Sequence, residues 1–517
     1  MSRSRLHLGA VFLAVGTLAG CADITPQAPA PTLTGAEARL DAAWRLTLGG
    51  YVVPVDTAVL ASAASEGMDA SAQQRSPDVK PGSAPRPDWS QRPSARSTEP
   101  VETAMLDHLR TLEAQPGADA DKLSDAAIEA MTAALDPHSK LEPPGGEAMW
   151  DKLADPAEHY KGLGFQVRPV PAGYEITRLY PDGPAAQAGL AIGDVITAID
   201  GNKTAGISNH DFTKLSRGDQ TASAKLDVER QNKRLHLAAV RGVVDIPRVE
   251  ARVVGDVAVL RLNAFTRDAG QELRHKAARL FAAETAPRGL VLDLRGNLGG
   301  LISEAEDAGG MLLPDGAWLA TFWSAGHPDE LHVVRPPEAL PASIPVVVLM
   351  NSDTASASEV LAAALRDHGR ATLIGTPSFG KGISQGHQSL PDGRTLVATG
   401  WFLRRPSGAW LQDSGLVPDL TVAGLEETYA GHEAKLPGAL KPPAQIERVA
   451  QRPPPASADC LAAGRIAAAR PGDPQLLAAV AVLDCQRSIA PVLEAKSPGT
   501  MPGDQTRQSG AVVTPKR

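Results

Sequence analysis

The sequence predicts a multidomain α/β protein: a helical N-terminal region, a β-rich domain, an α/β core and a helical C-terminal region. Three observations carry that prediction. A chain of 517 residues exceeds one compact module at roughly 150 residues per domain. From 158 to 243 the pattern is short strands broken by Gly and Pro. Between 257 and 425 the apolar runs VAVLRL, LVLDL, VVVLM and ATLIG alternate with helical stretches near 267–284, 302–312 and 356–367. Continuous Val, Leu and Ile runs with helices between them indicate a mostly parallel sheet covered on both faces.

Composition narrows the function classes. Apolar residues make up 43% and charged residues 21%, enough for a real core; with aromatics at 4% that core must be mostly Ala, Leu and Val. The 48 Gly and 43 Pro predict linkers without reaching the proportions of a collagen or a wholly disordered chain. A net charge of −8 lacks the basic footprint of a nucleic-acid binder. Three Cys make neither a disulfide scaffold nor a four-thiolate zinc site. No phosphate-cradling Gly-rich signature, tandem repeat or HExxH-type His pair occurs, so no metal and no cofactor are expected.

In chain order, residues 1–20 read as an export signal. Arg3 and Arg5 precede an apolar run from Leu8 to Ala19, too short for a bilayer span of roughly 20 residues but suited to a signal-peptide core. Leu18-Ala19-Gly20-Cys21 resembles the bacterial lipobox, which implies lipidation of Cys21; the alternative is an ordinary signal peptide that happens to contain a Cys. Two or three acyl chains would hold the protein firmly, where one alone is marginal. The expected location is the cell envelope, lipid-anchored and facing the periplasm, and Ala22 after the Cys slightly favours the outer membrane over the inner.

Residues 21–150 read as the N-terminal helical region, with helix over 34–69 broken at Gly49-Gly50, and again over 101–112 and 119–135. Six Pro and six Ser within 71–100 predict a disordered insertion, because such a stretch buries little apolar area. Residues 426–517 comprise a Pro-rich linker, a helical pair near 458–494 and a polar, disordered tail. Export would place Cys460 and Cys485 in an oxidising space; a disulfide is the favoured reading and two buried thiols the other.

Within 158–243, Gly162-Leu163-Gly164-Phe165 is followed by a strand, then by GPAAQAGL from Gly183, GDVI from Gly193 and IDG from Ile199. A Gly-rich turn presents successive backbone N–H groups that can cradle a terminal carboxylate, and a neighbouring strand edge can pair with an extended peptide. GLGF alone marks any tight turn. Together these strings resemble a PDZ domain of the bacterial protease type. The resemblance implies that Leu163, Gly164 and Phe165 bind the carboxylate and that Phe165 and Val167 line a pocket for an apolar last residue.

Residues 244–425 hold the candidate chemistry. VVVLM from Val346 leads through Asn351-Ser352-Asp353-Thr354-Ala355-Ser356-Ala357-Ser358-Glu359 into a helix. A hydroxyl at a strand-to-helix turn sits where helix N-terminal amides favour developing negative charge, although Ser and Thr at such a turn also serve simply as caps. Downstream, Lys381 lies between two glycines beside Phe379, a setting in which desolvation can lower its pKa. TASASE, RDHGRA and GTPSFGKG with Gln385 closely resemble the carboxyl-terminal processing (tail-specific) peptidases, serine proteases with a Ser/Lys dyad on a ClpP/crotonase-like α/β core. The resemblance implies Ser356 as nucleophile, Lys381 as general base and Gln385 as its orienting group, with Asp367 in a supporting position. LDLRGNLGG from Leu292 matches the family's glycine string, which implies an oxyanion hole from Ala357 with Gly299 or Gly300; Leu298 departs from the Pro often found there. LDPHS from Leu135 and GLVPD from Gly415 match the family's N-terminal helical region and core-closing strand.

A Ser-His-Asp triad fits less well. Asp367 and His368 are adjacent and diverge by about 100° on a helix, and for His138 a helix-stop role suffices. The expected function is therefore a lipid-anchored endopeptidase acting on envelope proteins or peptides with apolar C-termini, with an adaptor lipoprotein as a further candidate partner. The alternative is a PDZ-based envelope binding or scaffold protein whose protease core is inactive or adaptor-dependent.

Overall fold

The computed structural model describes residues 33–75, 99–143, 160–180, 182–218, 223–244, 246–334, 340–424, 432–443 and 454–495. The leader with Cys21, residues 76–98 and the tail beyond 495 lie outside them. Among the described residues no helix is long and apolar enough to cross a membrane.

The chain opens with α1 (Gly35–Gly50), α2 (Thr57–Arg75), α3 (Glu99–Glu113) and α4 (Ala120–Ala133). Thr34 caps α1: its hydroxyl accepts from Glu37 N–H, and Glu37 accepts from Thr34 N–H in return. The four helices enclose Leu40, Trp44, Leu60, Met105, Ile128 and Met131. Because α2 runs to Arg75 and α3 starts at Glu99, both ends of the expected 71–100 insertion are helical. Ala, Gln and Arg at its start are good helix formers, so α2 continues through them to the edge of the Pro-rich stretch.

After β1 (Lys140–Glu142) comes the β-rich domain. It comprises β2 (Tyr160–Gly162), β3 (Phe165–Val170), β4 (Gly173–Leu179), α5 (Pro184–Gln187), β5 (Val195–Ile199), β6 (Asn202–Lys203) and α6 (Asn209–Arg217). It ends with β7 (Ser223–Arg230), β8 (Lys233–Val240) and β9 (Gly242–Val244). Its main sheet runs β3-β4-β5-β7-β8 with β6 beside β5, which leaves β3 at an edge. Strands β2 and β9 pair antiparallel where the chain enters and leaves.

The core begins with β10 (Val249–Val254), β11 (Val257–Leu262), α7 (Ala269–Phe281), β12 (Gly289–Asp293) and α8 (Ile302–Gly310). Next are β13 (Trp318–Trp323), β14 (Glu330–Val333), β15 (Val346–Met350), α9 (Ala357–Asp367) and β16 (Ala371–Gly375). The last strands are β17 (Ile383–Ser389), β18 (Thr395–Arg404) and β19 (Leu420–Thr421), before α10 (Ala458–Ala468) and α11 (Pro474–Ala495). The central sheet has the order β10-β11-β12-β15-β16-β19, parallel from β11 onward with β10 antiparallel. Alternate residues of a strand face opposite ways, and the two faces have different covers. Leu260, Leu292 and Val348 pack with α7, α8 and α9. Val259, Val291, Val347 and Leu349 pack with α10 and α11 through Cys460, Ala478, Val482 and Leu483. A Cys460–Cys485 disulfide joins those two helices.

A second, antiparallel sheet has the order β1-β18-β13-β14, with β17 also on β18. Strand β1 thus stitches the N-terminal region to the core, Lys140 opposite Val397.

Candidate active site

The parallel strands β12 and β15 end side by side, and the loops after them meet. The loop after β12 carries Asn297, Gly299 and Gly300; the turn after β15 carries Thr354 and Ser356. Ala355 N–H and Ser358 Oγ both donate to Asn297 C=O, and Asn297 Nδ2 donates to Leu262 C=O. Thr354 Oγ1 donates to Leu294 C=O at 3.0 Å.

Ser356 stands at the N-terminus of α9 with φ 56° and ψ −122°, a backbone region that L residues rarely adopt and that costs of order 1–3 kcal/mol. It is held there by Glu359, fully buried, whose Oε2 accepts Ser356 N–H at 2.9 Å and Lys381 N–H at 2.9 Å. Glu359 Oε1 takes Gly380 N–H at 2.7 Å and the Ser378 hydroxyl. Burial pushes the Glu359 carboxyl up to about 7, although all four donors oppose the rise.

Lys381 is largely buried, and its Nζ donates to Gln385 Oε1 at 3.0 Å. Burial lowers its pKa; Glu433, Asp136 and Glu359 pull the other way, and Lys140 adds to the lowering. Ser356, Lys381 and Gln385 thus lie in one cluster, with no hydrogen bond between Ser356 Oγ and Lys381 Nζ in this state. Gln385 Nε2 donates to Thr399 Oγ1 at 3.3 Å.

Of the three residues expected at the oxyanion hole, Ala357 opens α9 and Gly299 lies against it. A Cβ on Gly299 (φ 100°) would fall 2.8 Å from Ser356 Cβ and 3.0 Å from Ala357 N, so only glycine fits. The Gly299 N–H, however, donates to Asn297 Oδ1 at 2.9 Å and is not turned toward an incoming carbonyl. Gly300 sits against Phe265 instead. Asp367 closes α9 away from this cluster, paired with Arg405 at 2.5 Å and accepting Ser407 N–H at 2.9 Å.

The helix-stop reading of His138 falls short. Its Nε2 lies 3.0 Å from both Glu433 oxygens, and Glu433 is fully buried. Glu433 also accepts from Gln412 Nε2 at 3.0 Å, while Gln412 Oε1 accepts Gly382 N–H at 2.9 Å. Glu433, Gln412 and Thr399 have no sequence signal because their partners are remote in the chain; Asn297 lies within the LDLRGNLGG string, but its bonds to Leu262, Ala355 and Ser358 are remote too. Glu359 had a local signal, its place three residues after Ser356 at capping-box spacing.

A second polar chain backs the loop after β12. Burial would raise the Asp293 carboxyl, but Arg295 and Arg261 hold it well below the usual carboxylate range. Arg295 pairs with Asp293 at 2.7 Å and, from its other side, with Asp473 at 2.9 Å and Gln475 Oε1 at 3.1 Å at the start of α11. Arg261 donates to Arg295 C=O at 3.0 Å and to Asn263. Arg178 on β4 donates to Asn263 at 2.8 Å and pairs with Glu250, tying the β-rich domain to this chain.

In that domain Leu163 is buried and its C=O accepts from Ala185 N–H at 2.7 Å; Gly164 C=O accepts from Tyr180 N–H. Gly164 takes φ 84°, and a Cβ there would lie 3.1 Å from Gly183 Cα. Phe165 and Val167 are half-buried on edge strand β3, and the Phe165 ring faces Phe212 of α6 at 6.3 Å.

Comparison with known proteins matches residues 256–422 to peptidase family S41 and residues 175–230 to the PDZ domain. A "Carboxy-terminal-processing protease" of Bartonella bacilliformis is 34% identical over 325 residues, covering 62% of this chain and 74% of that protein. A "Probable CtpA-like serine protease" of Staphylococcus haemolyticus is 30% identical over 305 residues, covering 59% of this chain and 61% of that one. Among solved structures, the photosystem II D1 C-terminal processing protease aligns over 76% of this chain and 94% of its own at 24% identity, with a TM-score of 0.49.

Proposed function

The chain belongs to peptidase family S41 and is a serine peptidase of the carboxy-terminal processing type; on that premise we propose that Ser356 and Lys381 form its catalytic dyad and that the PDZ domain selects substrates by their C-termini. The observation that carries the dyad is Lys381 itself: largely buried, its pKa lowered by that burial, and its Nζ held by Gln385. A lysine kept neutral can take the Ser356 proton as the hydroxyl attacks the scissile carbonyl. The proton then passes to the leaving amine, and water releases the acyl group from Ser356. The Ala357 amide at the start of α9 supports charge on the tetrahedral intermediate, joined by a glycine amide once Gly299 leaves Asn297.

Substrates are proteins or peptides. Edge strand β3, the Gly164 turn and the Phe165–Phe212 contact support reading of an apolar C-terminus by strand addition. The uncoupled Ser356 and the engaged Gly299 amide fit an enzyme whose site is completed when that groove, or an adaptor lipoprotein, is occupied. Lipidation of Cys21 would anchor the enzyme in the cell envelope, facing the periplasm; release of a Cys21→Ser variant from membranes is the result expected, and a variant that stays bound overturns that placement.

The test is labelling with a fluorophosphonate serine probe. Wild type should label and Ser356→Ala should not. A peptide with a free apolar C-terminus should speed labelling more than its amidated form. Equal labelling of Ser356→Ala defeats the nucleophile assignment, and equal effects of acid and amide defeat the PDZ reading.

A further inference from the structure

Gln385 meets Lys381 with one end of a side-chain amide whose two ends are nearly the same shape. While Lys381 is an ammonium it only donates, and Gln385 must present its oxygen. Once the lysine is neutral that demand lapses, and the amide needs another hold if the base is to stay aimed. The structure supplies one from an unexpected direction. Gln385 Nε2 donates to Thr399 Oγ1 at 3.3 Å. Thr399 is fully buried on β18 and pinned at both backbone groups: its N–H donates to Ser139 Oγ at 3.2 Å, and its C=O accepts Val52 N–H at 2.8 Å.

Ser139 is fixed in turn. Its hydroxyl donates to Asp136 Oδ2 at 2.6 Å, and the same oxygen accepts Tyr51 OH at 3.0 Å. Asp136 Oδ1 accepts the N–H groups of His138 at 2.8 Å and Ser139 at 3.1 Å. A carboxylate only accepts, so the Ser139 proton points to Asp136 and its lone pairs face Thr399. Asp136, Ser139 and Tyr51 are all buried, where a broken link leaves an unpaired polar group.

We propose that Ser139 and Thr399 are positioning residues of the general base, holding the Gln385 side chain within reach of Lys381 Nζ, so that the N-terminal LDPHS turn is part of the apparatus that positions the base. The inference rests on the Ser356/Lys381 reading. The charged groups facing Lys381 are Glu433 after β19, Asp136 in the turn, Glu359 on α9 and Lys140 on β1; none of them is altered by a change at Thr399.

The test compares full-length Thr399→Val and Thr399→Ser with wild type, Lys381→Arg and Ser356→Ala. The substrate is an internally quenched peptide with a free apolar C-terminus, read from pH 6 to 10 with a thermal melt on each protein. Loss of one hydrogen bond should lower kcat of Thr399→Val by about tenfold with KM unchanged. The acidic limb of kcat should also move to lower pH, because an ammonium whose acceptor is held less firmly gives up its proton more readily. Thr399→Ser keeps the hydroxyl and should recover both. If Thr399→Val does not fold, Thr399→Ala, which adds no bulk, carries the same test. A folded variant with wild-type kcat and limb, or a loss equal in Val and Ser that tracks only the melt, overturns the inference while an inactive Lys381→Arg leaves the dyad standing. An active Lys381→Arg overturns the dyad first, and this inference with it.

Discussion

Ser356 and Lys381 share an acceptor: each donates its backbone N–H to Glu359 Oε2, at 2.9 Å in both cases. The proposed nucleophile and the proposed base are therefore set relative to one another through their main chains, by a third side chain that bonds neither functional atom. The strained φ of Ser356 persists because this bond and the Asn297 contacts over-determine it.

A glutamate whose folded pKa is raised to about 7 from an ordinary 4.5 gives the folded state the extra proton between those values. Stability from this group therefore falls as pH rises from about 4.5 to about 7. Urea melts of wild type and Glu359→Gln at pH 5 and pH 7.5 should show a smaller drop for the variant. The variant should also be less stable at pH 5 by about 1–3 kcal/mol, because its amide turns donors toward donors. An unchanged slope would place the pH dependence elsewhere.

Lys381→Arg keeps the charge, but a guanidinium does not give up its proton at any working pH. Peptide cleavage should fall by about 10²–10⁴-fold with the melt preserved. In wild type kcat should rise with pH as Lys381 loses its proton, with a midpoint below the ordinary lysine value of 10.5. A midpoint at or above that value would contradict the desolvated lysine.

Gly299→Ala places a methyl 2.8 Å from Ser356 Cβ in a loop at φ 100°. If this loop supplies an oxyanion donor, kcat should fall by roughly 10²–10³-fold, while binding of a C-terminal peptide to the PDZ domain, read by fluorescence anisotropy, stays as in wild type. Activity within a few-fold of wild type would move the donor to another residue.

The Cys460–Cys485 bond spans a sequence separation of 25, for which chain entropy gives about 3.5 kcal/mol. The double change to Ser should lower the stability accordingly, with the m-value somewhat raised because the unfolded chain without the crosslink exposes more surface. A variant as stable as wild type would mean that α10 and α11 hold together by packing alone.

How much of this was legible in the sequence depends on the range of each interaction. The alternation of apolar runs and helices predicted the parallel sheet because each strand's burial is written in its own residues. Ser356, Lys381 and Gln385 stood out because short strings carry them. Glu359 lay inside one of those strings, yet its role depends on where Gly380 and Lys381 return after β16. Glu433 carries no local signal, since nothing near it in the chain requires a carboxylate; Asp473 caps the start of α11 by accepting Gln475 and Leu476 N–H, and only its pairing with Arg295 is remote. The sequence reads His138 as punctuation because the buried acid it meets lies 295 residues further on, past the end of the core.

The far face of the central sheet, with Val259, Val291, Val347 and Leu349, is covered by α10 and α11, and Arg295 beside the glycine loop is paired by Asp473 and Gln475 at the start of α11. Those helices leave the ribosome after every other described element. Until they arrive, the sheet carries a bare apolar face and the loop against Ser356 lacks its rear support. The C-terminal helices therefore belong to the same folding unit as the protease core, and a chain cut before α10 would lose both the cover of that sheet face and the support of the glycine loop.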